Sequence, residues 1–299
     1  MHKYIFTLIL AFLFGNVIAQ QKDVQVDMKQ VNGSIYMLEG KGGNIAFCIG
    51  EESVLMVDSQ FEDMSEKIST ALAEHSDKPV SLLINTHWHG DHTGGNGKFT
   101  DAGAKVMAHK NVRKRLTSEN HMKAFNRTVP PAPENKWPVM TFNDENMLFL
   151  NGEEIFLFHV ANAHTDGDAM VYFTTSNVLH MGDTYFNGRY PFIDLSSGGS
   201  INGLIAAVDK ALFVCDDETK IIPGHGKLSN KSELMEYKKV LTTVKDAVQS
   251  AIAEGLSIEE IKEKKLSAEF DESYGTGFIN PERFIDFIWT DLTREDTSE

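Results

Sequence analysis

The chain has 299 residues, of which 41% are hydrophobic and 24% charged, and 43 acidic residues against 28 Lys and Arg give a formal net charge of −15. This composition excludes a collagen-like, disordered or multi-span membrane chain. An acidic surface also disfavours phosphate backbones, whose binding needs clustered Lys and Arg. We therefore expect a small-molecule substrate and no nucleic-acid partner.

The first 19 residues have the pattern of a secretory signal peptide. Lys3 supplies a basic start, residues 5–14 form an apolar run, and Ala19 ends the segment with a small side chain. The apolar run is too short to cross a bilayer of ~30 Å as a helix. We therefore predict a periplasmic or secreted protein whose mature chain, residues 20–299, is a single domain that does not insert stably into a membrane.

The first half of the mature chain is predicted to open with antiparallel strands. Apolar runs stand at 35–38, 45–49 and 54–57, and the last is apolar throughout, as in a strand that is buried on both faces. Residues 64–72 then carry apolar side chains at helical spacing. The only two cysteines, Cys48 and Cys215, follow apolar residues and are expected to be buried, with a disulfide between them left open.

The second half repeats the strand-rich pattern and then becomes helical. Its β-rich runs are residues 147–150, 154–160, 169–173 and 178–181. Capping residues predict four later helices, which begin after Ser200, after Ser229 or Asn230, after Ser257, and at Asn280-Pro281. The part from 227 to 299 is therefore helical. Two strand-rich halves, each followed by helices, predict an α/β fold of four layers, with two sheets inside and helices outside.

Four apolar runs end at a polar residue that can bind a metal or orient a ligand. These residues are Asp58, His87, Asp183 and His225. α/β folds place their sites at the carboxyl ends of buried strands, so we expect these side chains to lie near one another.

The segment from Thr86 to Gly95 is the clearest candidate for a functional site, because it contains His87, His89, Asp91 and His92 within six positions. A lone His is usually an ordinary structural residue, but three at this spacing after a buried strand favour a metal site. Together with His164, Asp183 and His225 they make five imidazoles and two carboxylates, a number that suits two metal ions. The remaining histidines of the mature chain, at positions 75, 109, 121, 159 and 180, are expected to be structural.

This pattern resembles the metallo-β-lactamase superfamily, whose HxHxDH signature stands here at residues 87–92, followed by His164, Asp183 and His225. The resemblance covers essentially the whole mature chain and implies a four-layer αβ/βα sandwich with the site at one edge. It also implies the ligand sets of two Zn²⁺ ions, although another divalent metal stays open. The first ion takes His87, His89 and His164, the second takes Asp91, His92 and His225, Asp183 bridges the two, and Asp58 supports the ligands from behind.

The resemblance implies a hydrolase that uses a metal-bridging hydroxide to cleave an amide or ester carbonyl, such as that of a β-lactam or lactone ring. Asp91 is expected to be catalytic as well as a ligand, since it can orient the hydroxide or move its proton. The β-lactamase subclass with the nearest core pattern has Cys at the position of Asp183 and Lys at that of Phe186. A bridging Asp is typical of glyoxalase-II-like thioesterases and of acyl-homoserine lactonases.

The sequence also leaves three alternative functions open and offers three candidate substrate-binding residues. The alternatives are a thioesterase of the glyoxalase-II type, a mononuclear iron oxygenase on the same scaffold, and a metal-binding protein without activity. Trp88, Tyr185 and Arg189 stand next to ligands or near them and are candidate substrate-binding residues, Arg189 for a substrate carboxylate. The sequence leaves the oligomeric state open.

Overall fold

The computed structural model describes residues 24–294. The predicted signal peptide, residues 1–19, lies outside the described residues. The first half contributes β1 (Asp27–Asn32), β2 (Ile35–Glu39), β3 (Ile45–Ile49), β4 (Val54–Val57), β5 (Val80–Asn85), β6 (Lys105–His109), β7 (Asn120–Met122), β8 (Arg127–Val129) and β9 (Met140–Phe142). Seven of these strands form one sheet in the order β1-β2-β3-β4-β5-β6-β9, while β7 and β8 form a separate antiparallel hairpin.

The second sheet has six strands in sequence order. They are β10 (Glu145–Leu150), β11 (Glu153–His159), β12 (Ala169–Phe173), β13 (Val178–His180), β14 (Lys220–Ile222) and β15 (Ser229–Asn230). All neighbours pair antiparallel except β13 and β14, which are parallel. β14 stops immediately before Pro223, which cannot donate to a strand ladder.

The helices are α1 (Ser65–Ala73), α2 (Gly90–Thr93), α3 (Asn96–Asp101), α4 (Lys110–Leu116), α5 (Ile201–Val214), α6 (Lys231–Ala253), α7 (Ile258–Glu263), α8 (Asp271–Tyr274) and α9 (Pro281–Thr293). The predicted caps are confirmed. The side chains of Ser200, Asn230 and Asn280 each accept a hydrogen bond from a backbone N–H in the first turn. Ser257 and Glu260 form a reciprocal capping box at the start of α7.

The predicted four-layer α/β arrangement is confirmed by the way the core divides. Leu55 and Val57 of β4 face the second sheet, whereas Val54 and Met56 pack with α1 and α3 on the outer side. The outer face of the second sheet is covered by α5, α6 and α9. Both faces of β4 are therefore buried, which is why its sequence is apolar throughout.

The two sheets bring their parallel strands to one edge of the sandwich. β4, β5 and β6 are parallel in the first sheet, as β13 and β14 are in the second. Asn44 joins the sheets there, because its backbone N–H donates to Gly224 O (2.7 Å) and its side chain donates to Pro223 O (2.9 Å). The segments that follow these strands therefore meet.

Two further predictions concern single features of the chain. Cys48 and Cys215 are both buried, as expected, and both are free thiols. Between residues 24 and 294, no helix combines the length and apolar character that a membrane span requires.

Candidate metal centre

Four buried side chains form the first of two candidate ligand groups. His87 follows β5 after one residue, His89 precedes α2, His164 lies in the turn after β11, and Asp183 follows β13. His164 Nε2 lies 2.9 Å from His89 Nδ1 and 3.6 Å from Asp183 Oδ2, and His87 Nε2 lies 3.9 Å from the same oxygen. These atoms surround one point at the spacing that ligands of a single ion require.

Asp91, His92 and His225 form the second group. Asp91 Oδ2 lies 3.2 Å from His225 Nε2 and 3.7 Å from His92 Nε2. Asp183 touches this group too, since its Oδ1 lies 3.0 Å from His92 Nε2 and its Oδ2 lies 3.5 Å from His225 Nε2. Asp183 is therefore the side chain that both groups share.

Two glycines make room for these side chains. A Cβ at Gly43 would lie 2.1 Å from the His92 ring, and a Cβ at Gly224 would lie 2.1 Å from Asp183 Oδ1. Both distances are far below van der Waals contact, so these backbones can approach the ligands only because they carry no side chain.

Three histidines are oriented through their second ring nitrogen. His92 Nδ1 bonds to Asp58 Oδ2 (2.7 Å), His89 Nε2 bonds to Asp194 Oδ2 (3.0 Å), and His164 Nδ1 bonds to the Phe192 carbonyl oxygen (2.8 Å). Because carboxylates and carbonyls accept, each of these nitrogens carries the proton. The opposite nitrogen then faces the centre, where it can donate a lone pair to a metal ion once it carries no proton.

Asp58 stands where the resemblance implied a supporting aspartate, and it is held in a strained backbone conformation. Its φ is 62°, and its carboxylate also accepts from the Thr86 N–H (2.8 Å) and hydroxyl (2.7 Å). A non-glycine residue with positive φ is costly and is often found at functional sites. The hydrogen bonds to His92 and Thr86 offset that cost.

The support from Asp194 and Phe192 was not predicted from the sequence. Both lie in an irregular segment shortly after Arg189 and Tyr190, which carries no helical or strand periodicity. The Asp194 carboxylate is buried and also accepts from Ser197 Oγ (2.6 Å). A buried acid in a stretch of apolar residues was the available signal, since such an acid needs a partner.

The first group is electrically suited to bind a cation without releasing protons. Burial lowers the pKa of His87 well below its ordinary value and that of His164 to about 4, despite the nearby Asp183. Both imidazoles are therefore neutral at pH 7, which is the state that binds metal.

In the second group, nearby carboxylates raise the pKa of both histidines. Burial opposes charging of His92, but Asp183, Asp58 and Asp91 raise its pKa well above the ordinary value. Burial likewise opposes the charging of His225, but Asp183 and Asp91 raise its pKa to about 9. The pKa of Asp91 falls to about 2, against its burial, because of His92 and His225. Such a concentration of negative charge favours divalent cations, which would displace the protons.

An unpaired buried nitrogen indicates that the centre fits a metal. His87 Nε2 is buried and makes no hydrogen bond to any residue of the described chain. It would cost free energy if it stayed without a partner. Imidazole nitrogens with carboxylate oxygens are a donor set that zinc accepts.

A cavity of about 700 Å³ opens onto the centre, and Asp91, Asp183 and His225 lie in its wall. Of the expected substrate contacts, Trp88 and Arg189 also line it. Tyr185 does not: it is fully buried, its hydroxyl lies 2.7 Å from Ser229 Oγ, and its ring packs on Tyr237. The expectation that Tyr185 contacts substrate is therefore corrected, because its ring is buried against Tyr237 of α6 and does not line the cavity.

Comparison with known sequences agrees with this centre. The sequence profile of the metallo-β-lactamase superfamily matches residues 33–225. A metallo-beta-lactamase type 2 of Bacteroides fragilis is 24% identical over 253 residues, covering 79% of this chain and 94% of that protein. A hydroxyacylglutathione hydrolase of Polaromonas sp. is 26% identical over 152 residues, so this chain spans only 50% of its length.

Two solved structures show the same fold. A metallo-beta-lactamase from Pontibacter korlensis superposes with a TM-score of 0.61 at 15% identity, covering 73% of this chain and 99% of that one. The sec-alkylsulfatase Pisa1 from Pseudomonas sp. gives a TM-score of 0.66 at 15% identity, covering 89% of this chain and 50% of that one.

The two-sheet fold and the His/Asp centre at its edge define the class as a metal-dependent hydrolase. With its profile matched from residue 33 to residue 225, the chain belongs to the metallo-β-lactamase superfamily. The relatives of this superfamily act on small molecules, and this chain is a hydrolase of the same kind.

Proposed function

We propose that this protein is an exported hydrolase that binds two Zn²⁺ ions and opens an amide or ester carbonyl of the β-lactam or lactone type. The observation that carries the proposal is the position of Asp183. One of its oxygens lies 3.0 Å from His92 Nε2 and the other 3.6 Å from His164 Nε2, so this carboxylate can serve both groups. A carboxylate within reach of both groups would help to hold a pair of ions in one site.

The proposed ligand sets follow the two groups. One ion would be held by His87, His89 and His164. The other would be held by Asp91, His92 and His225, and Asp183 would bind both ions. When bound, two such ions lower the pKa of a water molecule to about 7 and polarise the carbonyl that it attacks.

Asp91 is the chain's own acid–base group in this proposal. Its side chain is 26% exposed and lines the cavity, whereas Asp183 is 5% exposed. Its low pKa keeps the carboxylate ionised at neutral pH, so Asp91 Oδ2 can accept a hydrogen bond from the attacking water and orient it. A group of such low pKa relays the proton of that water rather than keeping it. The ring of Phe186 lies nearly parallel to that of His225, with the ring centres 5.4 Å apart.

A thioesterase of the glyoxalase-II type is the second candidate. It is supported by the hydroxyacylglutathione hydrolase among the relatives, although that similarity covers half of each chain. The β-lactam or lactone type is preferred because the Bacteroides fragilis relative is covered almost completely.

One experiment tests the proposal directly. The mature chain is purified, its metal content is measured by mass spectrometry, and kcat/KM is determined for β-lactams, homoserine lactones and thioesters side by side. We expect about two zinc per chain and the highest kcat/KM on a lactone or lactam. Faster thioester cleavage would favour the second candidate, and one oxygen-reactive iron per chain would contradict the hydrolase centre proposed here.

Export is a separate part of the proposal and has its own test. It rests on the basic start, apolar run and small residue at position 19. Amino-terminal sequencing of the protein recovered from the periplasm or medium should begin at Gln20. Recovery of the uncleaved chain from the cytoplasm alone would contradict it.

A further inference from the structure

We propose that the substrate of this site carries an anionic oxygen group, bound by Arg127 and Arg189, together with an apolar group that packs on the aromatic wall of the cavity. The inference deepens the proposed function, on which it rests for the bond that is cleaved. It concerns the groups on either side of that bond, which the metal ligands do not contact.

Arg127 and Arg189 bring unpaired positive charge to the cavity from two separate segments. Arg127 begins β8 in the hairpin, and Arg189 lies in the loop after β13. Both residues are exposed, and within residues 24–294 neither guanidinium has an acidic partner or a hydrogen bond. The third cation of the lining, Lys41, is already paired with Asp63 at 2.5 Å. The positive charges of Arg127 and Arg189 are therefore both available to bind a ligand.

The charge balance of the cavity differs from that of the whole chain. The protein carries a formal charge of −15, yet the only acids in the cavity wall are Asp91 and Asp183. Both belong to the candidate metal centre, where bound cations would neutralise them. Guanidinium groups bind carboxylates and similar oxygen anions through paired hydrogen bonds, so this local excess favours an anionic ligand.

The rest of the wall is mainly apolar and aromatic. It includes Phe61, Phe125, Phe186, Phe192, Phe278 and Ile279. Phe278 is 68% exposed at this wall, so its ring is accessible from the cavity. It packs 5.7 Å from Phe125, and the Arg283 guanidinium covers both rings at 5.3–5.6 Å. These contacts orient the exposed ring for an apolar ligand group.

The C-terminal helices determine where Arg189 stands. The neighbouring Tyr190 donates its hydroxyl to Asp271 (2.8 Å) and its N–H to the Tyr274 carbonyl (3.0 Å). The stem of Arg189 packs against Gly277, where even a Cβ would come within 3.3 Å. Phe278 and Ile279 lie in the same segment, beyond the 33–225 stretch that the superfamily profile matches. This part of the chain therefore supplies selectivity that the family core does not contain.

The hairpin with Arg127 is likewise attached to the centre. Lys123 N donates to Ser196 Oγ (3.0 Å), two residues beyond the Asp194 that orients His89. Asn126 makes the turn in a left-handed conformation with a φ of 45°. The hairpin is thus joined to the loop behind the metal ligands, which positions the backbone from which the Arg127 side chain extends.

A binding experiment that needs no turnover tests the inference. 2-Naphthoate, 2-naphthalenesulfonate and uncharged 2-naphthamide are titrated into the full mature protein by calorimetry. The variants are Arg127→Gln, Arg189→Gln and, as a matched control, Lys105→Gln, which removes one positive charge at the start of β6, far along the strand from the site. We expect the anions to bind more tightly than the amide, and each arginine variant to lose about tenfold in anion affinity. Amide binding, metal content and the control should not change.

Equal affinity for the anions and the amide would overturn the inference. So would anion binding that both arginine variants leave unchanged, since the anion would then bind to the metal ions alone. A parallel kinetic arm compares two esters that differ only in a carboxylate or a carboxamide beside an aryl group. If neither ester nor any lactam or lactone is cleaved while the arginine-dependent preference persists, the proposed function fails and this inference stands.

Discussion

The two ligand groups of the metal centre differ in how the protein surrounds them. The first group, with His87, His89 and His164, is fully buried, and two of its imidazoles are fixed from behind by Asp194 and the Phe192 carbonyl. In the second group His92 is also buried and is oriented by Asp58, but His225 is 21% exposed and Asp91 is 26% exposed. The second group is therefore the more open of the two, although His89 and Asp183 also line the cavity.

This difference suggests a division of roles, in which the first group mainly binds its ion and the second presents its ion to the substrate. A buried and oriented group is prepared to hold an ion tightly, because little reorganisation is needed. A group that opens to the cavity and carries displaceable protons holds its ion less tightly but can present it to the substrate. We therefore expect the first group to bind the tighter ion and the second to respond more strongly to substrate and pH.

The largest effect is expected from Asp183, which both groups share. Asp183→Ala should reduce kcat by about 10³-fold or more, since it removes a charge that serves two ions. Chelator treatment of the unchanged protein should have a comparable effect. Asp217→Asn, which removes an exposed acid outside the centre and outside the cavity wall, should keep full activity. Normal turnover of Asp183→Ala with full metal content would refute the centre.

Removing one ligand from each group separates the two ions. His225→Ala should yield protein that keeps about one zinc per chain and has lost most turnover. His164→Ala should weaken the tighter ion and also lower the melting temperature more, because His164 is fully buried and His225 is not. Zinc stoichiometry after dialysis and thermal unfolding check both results. Identical metal loss and melting shifts would remove the distinction between the groups.

The residues behind the ligands allow a finer comparison. Asp194→Asn should weaken metal affinity of the first group, and Asp58→Asn that of the second, each by about 10–100-fold. Both substitutions keep the shape of the side chain but remove the charge that holds the imidazole proton. Competition with a chromogenic chelator measures the two affinities. The comparison fails if Asp194→Asn weakens only the looser ion.

The smallest expected effect is on the stability of the protein at acid pH, and it involves a pair of histidines next to the first ligand group. His109 stacks on His159 with ring centres 3.9 Å apart, and His159 Nδ1 donates to the carbonyl of Asp168, whose carboxylate accepts from the His164 N–H (2.6 Å). Burial, with the nearby His159 and Lys110, lowers the pKa of His109 to about 4.

The sign of this pH effect follows from proton linkage. His109 stays neutral in the folded chain while it would charge in the unfolded chain below pH ~6.5, so its stabilising contribution is present above that pH and is lost as pH falls toward about 4. His109→Asn, which can still cap α4, should flatten the decrease in melting temperature between pH 6.5 and 4. An unchanged slope would show that this pair does not titrate with unfolding.

The fold was largely predictable because its signals are local. The apolar run of β4, the caps at Ser200 and Asn230 and the capping box at Ser257 each depend on a few neighbouring residues. The β7–β8 hairpin was not predicted. Its strands have three residues each and are mostly exposed, so they carry no alternating pattern that could reveal them.

The chain's residues alone specified the donors of the centre, since HxHxDH and three later ligands can be read along the chain whatever their distances in space. Only the tertiary structure decided that Asp183 touches both groups, that Asp194 and Phe192 orient two of the histidines, and that Tyr185 points into the core. The physical reason is that a metal-binding side chain can be recognised in the sequence from its own chemical type. An orienting contact, a cavity wall and the burial of a ring depend instead on which distant segments pack together.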